Sequence, residues 1–212
     1  SIHPASAPTG KMRYASPVAI NTMGSRRRMS LALGVEDFEE HADRLRKLIQ
    51  APGNVPKTLA EKIRFGLEMG GEIKGTAPKE TGHGDCQEVV MQGDDVDLTQ
   101  FPILTCWPED GGPYITLPLV FTHDTTTGKR NVGMYRVQLY DRNTCGMHWQ
   151  MHKTGQRQME DEGASGKRRF DVAVVLGGDP VYNFAAISPL PPGIDEMVFA
   201  GFLRRESVCT VK

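Results

Sequence analysis

No apolar run in this chain approaches the roughly 18 residues that a membrane-crossing helix needs, and its start lacks the charged, apolar and small-residue zones of a secretory leader. A soluble, cytoplasmic protein without a membrane partner is therefore expected. Net charge is lacking too. With 25 Lys and Arg against 26 Asp and Glu, no global field would hold a polyanion through counterion release, which argues against nucleic acid as a partner. The short basic runs Arg26-Arg27-Arg28 and Lys167-Arg168-Arg169 read as solvated faces or loop edges. Cysteine is sparse: Cys86, Cys106, Cys145 and Cys209 show no CxxC or zinc-ribbon spacing. That excludes a disulfide framework and a thiolate metal site, and leaves buried free thiols as the expectation.

What is present is enough chain, 212 residues, for one large domain or a domain with a piece of another. The first fifteen or so residues, with Pro4, Pro8 and Gly10, read as loop. Tyr14 to Thr22 reads as a short strand. Phe38, Ala42, Leu45 and Leu48/Ile49 recur at helical spacing and predict a helix over Val35 to Gln50, ended by Pro52 and Gly53; a second short helix is expected over Leu59 to Met69.

From Cys86 the texture changes to short β-prone runs broken by Gly and Pro: Glu88 to Gln92, Tyr114 to His123, Arg130 to Tyr140, Gly146 to His152 and Asp171 to Leu176. Thr126-Thr127-Gly128-Lys129 separates two of them as a hairpin loop would. The charged stretch from Thr154 to Arg169 predicts an exposed helix or loop, and Met197 to Leu203 a helix after Pro191-Pro192-Gly193. Such spacing suits a β-barrel or sandwich.

Strand alternation over Arg130 to Tyr140 puts Val132, Met134, Arg136, Gln138 and Tyr140 on one face and Gly133, Tyr135, Val137 and Leu139 on the other. Arg136 thus sits among apolar neighbours and needs an anionic partner, either an internal carboxylate or a bound acid. The same alternation aligns His148, Gln150 and His152, either as a solvated polar stripe or as ligands of a divalent ion. Three prolines stiffen the stretch from Ile187 to Glu196. Glu196 follows them where a helix begins, and can complement the helix dipole or hold an ion.

Three segments, in this order and separation, resemble the UbiD family of prenylated-flavin decarboxylases. They are Asp110-Gly111-Gly112-Pro113-Tyr114-Ile115-Thr116; Asn131-Val132-Gly133-Met134-Tyr135-Arg136 continuing to Gly146-Met147-His148-Trp149-Gln150-Met151-His152; and Pro189-Leu190-Pro191 with Glu196 and Ala200-Gly201-Phe202-Leu203-Arg204. The resemblance spans Tyr14 to Lys212. It implies an α+β protein in which residues 1–80 form part of a small α/β segment. Residues 81–212 would form a split β-barrel, of the flavin-reductase type, that binds prenylated FMN and is incomplete at its C-terminal end.

The resemblance further implies that Asn131, His152 and Glu196 hold Mn2+ or Mg2+, which binds the flavin phosphate together with K+. Met134, Tyr135, Arg136, Gln150, His152, Glu196 and the loop Ile187, Ser188, Pro189 would contact the cofactor. Arg136 would lie beside it and clamp the carboxylate of an aromatic or α,β-unsaturated acid. As an open clamp, Arg136 is expected to have no internal carboxylate on its donors. His148 has no implied role beyond a structural one. A flavin prenyltransferase would supply the cofactor, the longer parent enzyme would be a homo-oligomer, and the family's further acidic residues and C-terminal domain would lie beyond Lys212. Two other readings remain: a split-barrel oxidoreductase using ordinary FMN, and a catalytically silent cofactor-binding module.

Overall fold

The computed structural model describes residues 2–6, 13–50, 70, 75–124, 127–149, 154–164, 166, 169–190 and 194–211. Its contacts divide the chain into two compact units. One contains residues 1–21, 85–178 and 186–189; the other contains 22–84, 179–185 and 190–212. Helices and sheets occur together, as the α+β reading expects. No helix among the described residues is long and apolar enough to cross a membrane.

In the first unit, β1 (Ile2–Ser6) pairs antiparallel with β2 (Arg13–Ala19). The opening residues therefore include a strand where their Pro and Ser content predicts loop. Two three-stranded antiparallel sheets follow. The first has β5 (Leu119–His123) between β6 (Arg130–Met134) and β9 (Ala173–Val175). The second has β7 (Val137–Leu139) between β4 (Tyr114–Ile115) and β8 (Cys145–Met147). No hydrogen-bonded pairing closes these strands into a barrel among the described residues.

The β5–β6 hairpin forms where the turn residues place it. Asp124 accepts from the Thr127 and Gly128 backbone N–H groups at 2.7 and 2.6 Å, through its carboxylate and its carbonyl respectively. Gly128 takes φ +68°, which glycine adopts at no steric cost.

Two long predicted strands each break in two, Tyr114–His123 into β4 and β5, and Arg130–Tyr140 into β6 and β7. Each half then joins a different sheet. Period-two alternation survives the second break: Tyr135, Val137 and Leu139 are buried while Met134, Arg136 and Gln138 are half-buried. Val132 departs from it, being buried at 1% exposure. The predicted strand over Glu88 to Gln92 does not form, and Val89, Val90 and Met91 are exposed. The four cysteines are exposed free thiols rather than buried ones, because each stands in an exposed turn, loop or strand-end position.

Helix α3 (Thr154–Ala164) packs against β5 and β6 and buries Gly155 and Glu162. It occupies the stretch expected to be an exposed helix or loop. The hydrophobic centre of this unit is Leu119, Val120, Val132, Val137 and Tyr135. Tyr135 meets Trp149 edge-on at 4.9 Å, and its hydroxyl accepts the Gly155 N–H at 3.4 Å.

The second unit has α1 (Arg26–Leu33), capped by the Ser25 hydroxyl, and α2 (Glu39–Gln50). The helix expected over Val35 to Gln50 thus begins four residues late, and the one expected over Leu59 to Met69 lies outside the described residues. The parallel pair β3 (Lys79–Thr81) and β10 (Cys209–Val211) belongs to this unit, as does most of α4 (Pro180–Ile187). Helix α5 (Glu196–Arg204) forms where the apolar run predicts it and buries Met197, Phe199, Ala200, Phe202 and Leu203. A Cβ on Gly201 would lie 2.2 Å from the Thr76 carbonyl oxygen, so only glycine permits this approach.

Arg204 donates Nε to Asp179 at 2.7 Å and Nη2 to the Ala32 carbonyl at 2.8 Å. Arg44 lies 4.3 Å over the Phe202 ring and donates to the Phe202 carbonyl at 2.8 Å, satisfying a helix-terminal acceptor. In this chain, Ala200 to Arg204 therefore pack and tie the second unit.

Candidate active site

β4 and β7 pair with Tyr114 opposite Gln138 and Ile115 opposite Val137. Directly opposed residues share a sheet face, and Arg136, two residues before Gln138, lies diagonally on the same one. The Tyr114 hydroxyl donates to Gln138 Oε1 at 2.9 Å, and the Arg136 guanidinium carbon stands 4.0 Å from the centre of the Tyr114 ring. Arg136 follows the break between β6 and β7. Its carbonyl accepts the His148 N–H at 3.0 Å, which continues the β7–β8 pairing by one step.

The expectation that Arg136 carries no internal carboxylate is not met. Its Nη1 and Nη2 donate to Asp110 Oδ1 and Oδ2 at 3.3 and 2.9 Å, an end-on bidentate pair. The Asp110 side chain is 13% exposed and that of Arg136 35%. Hydrogen bonding by Arg136 holds the Asp110 carboxyl below the usual carboxylate range, and the same pairing raises the pKa of the guanidinium. The physical reason lies in the turn that carries Asp110, closed by the Asp110 N–H donating to the Trp107 carbonyl at 3.1 Å. Gly111 follows, and a Cβ there would meet Gln138 Nε2 at 3.0 Å. The glycine lets the turn settle onto β7 with Asp110 against the guanidinium.

A second polar group stands on the other sheet. Asn131 on β6 is opposite Thr122 on β5. Its Nδ2 donates to the Thr122 hydroxyl at 3.2 Å, and that hydroxyl donates to Gln158 Oε1 on α3 at 2.6 Å. Thr122 is fully buried. The amide nitrogen is thereby occupied, and the Asn131 carbonyl oxygen makes no hydrogen bond among the described residues.

In the second unit, Glu196 is the first residue of α5. Asp195 precedes it as the cap, its carboxylate accepting the Met197 N–H at 2.7 Å. A carboxylate at this position complements the helix dipole. No cluster of three His, Cys, Asp or Glu able to hold a metal occurs among the described residues.

Gln150 and His152 lie outside the described residues. His148 is exposed just past the end of β8, so the strand on which three aligned polar groups are expected stops at Met147. Met134 is half-buried at the end of β6. The Tyr135 ring is buried with Trp149, which leaves its backbone as the part able to line a ligand. Ile187 and Pro189 are exposed and Ser188 half-buried where α4 ends.

The positioning groups Asp110, Tyr114, Gln138, Thr122 and Gln158 were not marked by any sequence reading as site residues. The signals available for three of them are the place of Asp110 and Tyr114 in the first family-like segment, the shared strand face of Gln138 and Arg136, and the need of Arg136 for an anionic partner.

Residues 78–212 match the family model described as the 3-octaprenyl-4-hydroxybenzoate carboxy-lyase Rift-related domain, UbiD. An uncharacterized protein of Archaeoglobus fulgidus is 43% identical over 193 residues, covering 91% of this chain and 38% of the relative. One from Aquifex aeolicus is 40% identical over 199 residues, covering 94% and 40%. The chain thus spans about two fifths of the length of these relatives.

Among solved structures, the UbiD-class enzyme HmfF from Pelotomaculum thermopropionicum in complex with FMN has TM-score 0.72 and 21% identity, covering 94% of this chain and 39% of that one. The closed form of vanillic acid decarboxylase from Sedimentibacter hydroxybenzoicus has TM-score 0.72 and 24% identity, covering 94% and 39%. At these identities the likeness is one of fold.

Proposed function

Because the chain belongs to the UbiD family, we propose that it is the prenylated-FMN-binding part of a longer carboxy-lyase. That enzyme removes CO2 reversibly, without net oxidation, from an aromatic or α,β-unsaturated carboxylic acid. The reading is carried by the family match over residues 78–212, within which Asn131 and Arg136 stand five residues apart on either side of the β6–β7 break.

Arg136 is the carboxylate clamp in this reading. Its guanidinium carbon already stands over the Tyr114 ring, and a bound acid is held where its carbon–carboxylate bond can break. The electron pair of that bond stays on the substrate carbon, which takes up a proton as CO2 leaves. The prenylated flavin, when bound, supplies the electron sink for this step.

Asn131, His152 and Glu196 are proposed to hold Mn2+ or Mg2+, with K+ beside the flavin phosphate. The donor set fits: an amide oxygen, an imidazole nitrogen and a carboxylate suit a hard or borderline divalent ion. The carbonyl oxygen of Asn131, which makes no hydrogen bond among the described residues, is the feature of this structure that fits it. Met134, the Tyr135 backbone, Gln150 and Ile187, Ser188 and Pro189 are proposed to line the flavin. The two three-stranded sheets would be the halves of a split barrel, and the parent protein a homo-oligomer loaded by a flavin prenyltransferase.

The test is to coexpress the full-length parent with a flavin prenyltransferase, identify the bound cofactor by mass spectrometry and assay a panel of aromatic and unsaturated acids for CO2 release. Prenylated FMN with CO2 release is expected. Ordinary FMN with NADH oxidation and no CO2 would replace this reading with the oxidoreductase one.

A further inference from the structure

Arg136 has five N–H donors, arranged as an end edge shared by Nη1 and Nη2 and a side edge shared by Nε and Nη2. Asp110 takes the end edge through two hydrogen bonds, and the guanidinium carbon stands 4.0 Å from the centre of the Tyr114 ring. The Nε–H makes no hydrogen bond among the described residues, and a third of the side chain is exposed. We propose that Asp110 is a positioning residue for the carboxylate clamp. It occupies the end edge, so that an acid substrate is received only on the Nε side edge, in one orientation.

This inference rests on the decarboxylase reading for its consequence in turnover, but not for its consequence in binding. A guanidinium with both edges open would bind a carboxylate more tightly, because no neighbouring negative charge opposes the incoming anion. It would also bind in more than one orientation, of which one leads to reaction. Asp110 therefore weakens acid binding and sharpens its geometry. A residue that merely stabilised the fold would give the opposite sign in binding, since its loss would loosen the site and weaken the acid's hold.

The experiment measures benzoate binding by calorimetry and, in the full-length parent, turnover of the best acid in the panel, for the wild type, Asp110→Asn and Asp110→Glu. In Asp110→Asn, benzoate should bind about fivefold tighter, the effect of removing one adjacent charge at a partly exposed site. KM should fall with it, and kcat should drop roughly 10- to 100-fold. Asp110→Glu keeps the charge, so benzoate affinity and KM should return to wild-type values while kcat is only partly restored.

Absent CO2 release from the wild-type full-length parent, with the benzoate trend intact, would remove the decarboxylase reading and leave the positioning role standing. Benzoate binding that is absent in the wild type, or unchanged or weaker in Asp110→Asn, would overturn the positioning role whatever the activity. Should Asp110→Asn fail to fold, Asp110→Glu decides alone: wild-type benzoate affinity with reduced kcat supports the proposal, and a tighter affinity overturns it.

Discussion

Thr122 and Asn131 face each other across β5 and β6, and one hydroxyl links the Asn131 amide to Gln158 on α3. The hydroxyl's single proton goes to Gln158, so Thr122 accepts from Asn131 and fixes which end of the amide is left over. Thr122→Val keeps the shape and removes that acceptor. If the Asn131 oxygen is a metal ligand, the substitution should weaken Mn2+ binding about tenfold, as loss of a ligand's supporting hydrogen bond does elsewhere. Electron paramagnetic resonance titration of Mn2+ reads this directly, and an unchanged affinity would separate the Thr122 chain from metal binding.

Arg136→Lys retains a charge but gives up the planar fork that spans both Asp110 oxygens and lies on Tyr114. Decarboxylation in the full-length parent should fall on the order of 100-fold, with flavin and metal content preserved. Full activity would show that the substrate carboxylate is held elsewhere and that the Asp110 pair is solely structural.

His41 on α2 is buried at 4% exposure, and its pKa is lowered first by burial and then by nearby Arg44, against opposing contributions from Leu33 and Glu40. A histidine whose folded pKa lies below its ordinary 6.5 binds fewer protons folded than unfolded. Its contribution to stability is complete above pH 6.5 and is lost as pH falls from there through the folded value. Melting temperatures between pH 7.5 and about pH 5 should therefore decline more steeply in the wild type than in His41→Leu. Parallel curves would show that His41 keeps an ordinary pKa.

Gly201→Ala puts a methyl group 2.2 Å from the Thr76 carbonyl oxygen, a rigid backbone atom. Relief requires α5 to move, at a cost of about 1–3 kcal/mol typical of overpacking. Chemical denaturation should show this loss with the m-value unchanged, whereas a neutral result would mean that this part of the second unit yields without cost.

The parts of the fold that were legible in the sequence are those set by neighbours along the chain. The run Thr126-Thr127-Gly128-Lys129 announces the β5–β6 turn, and the apolar run from Met197 to Leu203 announces α5. Period-two patterning also gives the correct faces for Tyr135 to Leu139. It is blind to a change of partner, however, so the passage from β6 in one sheet to β7 in another reads as a single strand. The parallel β3–β10 pair joins residues well over a hundred positions apart, which no local pattern encodes. Val89, Val90 and Met91 have strand-like side chains, yet form no strand and stay exposed. Arg136 announces its need for an anion, but the choice of Asp110, 26 residues earlier, is made by the turn that Gly111 allows to settle on β7.

The register of β4 against β7 also works as a check on assembly. Side-chain direction alternates along a strand, so a slip of one residue would turn Tyr114 away from Gln138 and carry the Asp110 turn out of step with Arg136. The misaligned ladder could still form backbone hydrogen bonds, but a half-buried guanidinium would be stranded without its carboxylate. The same few contacts that shape the site thus make a wrongly threaded chain less stable than a correctly threaded one, tying accuracy of folding to readiness for chemistry.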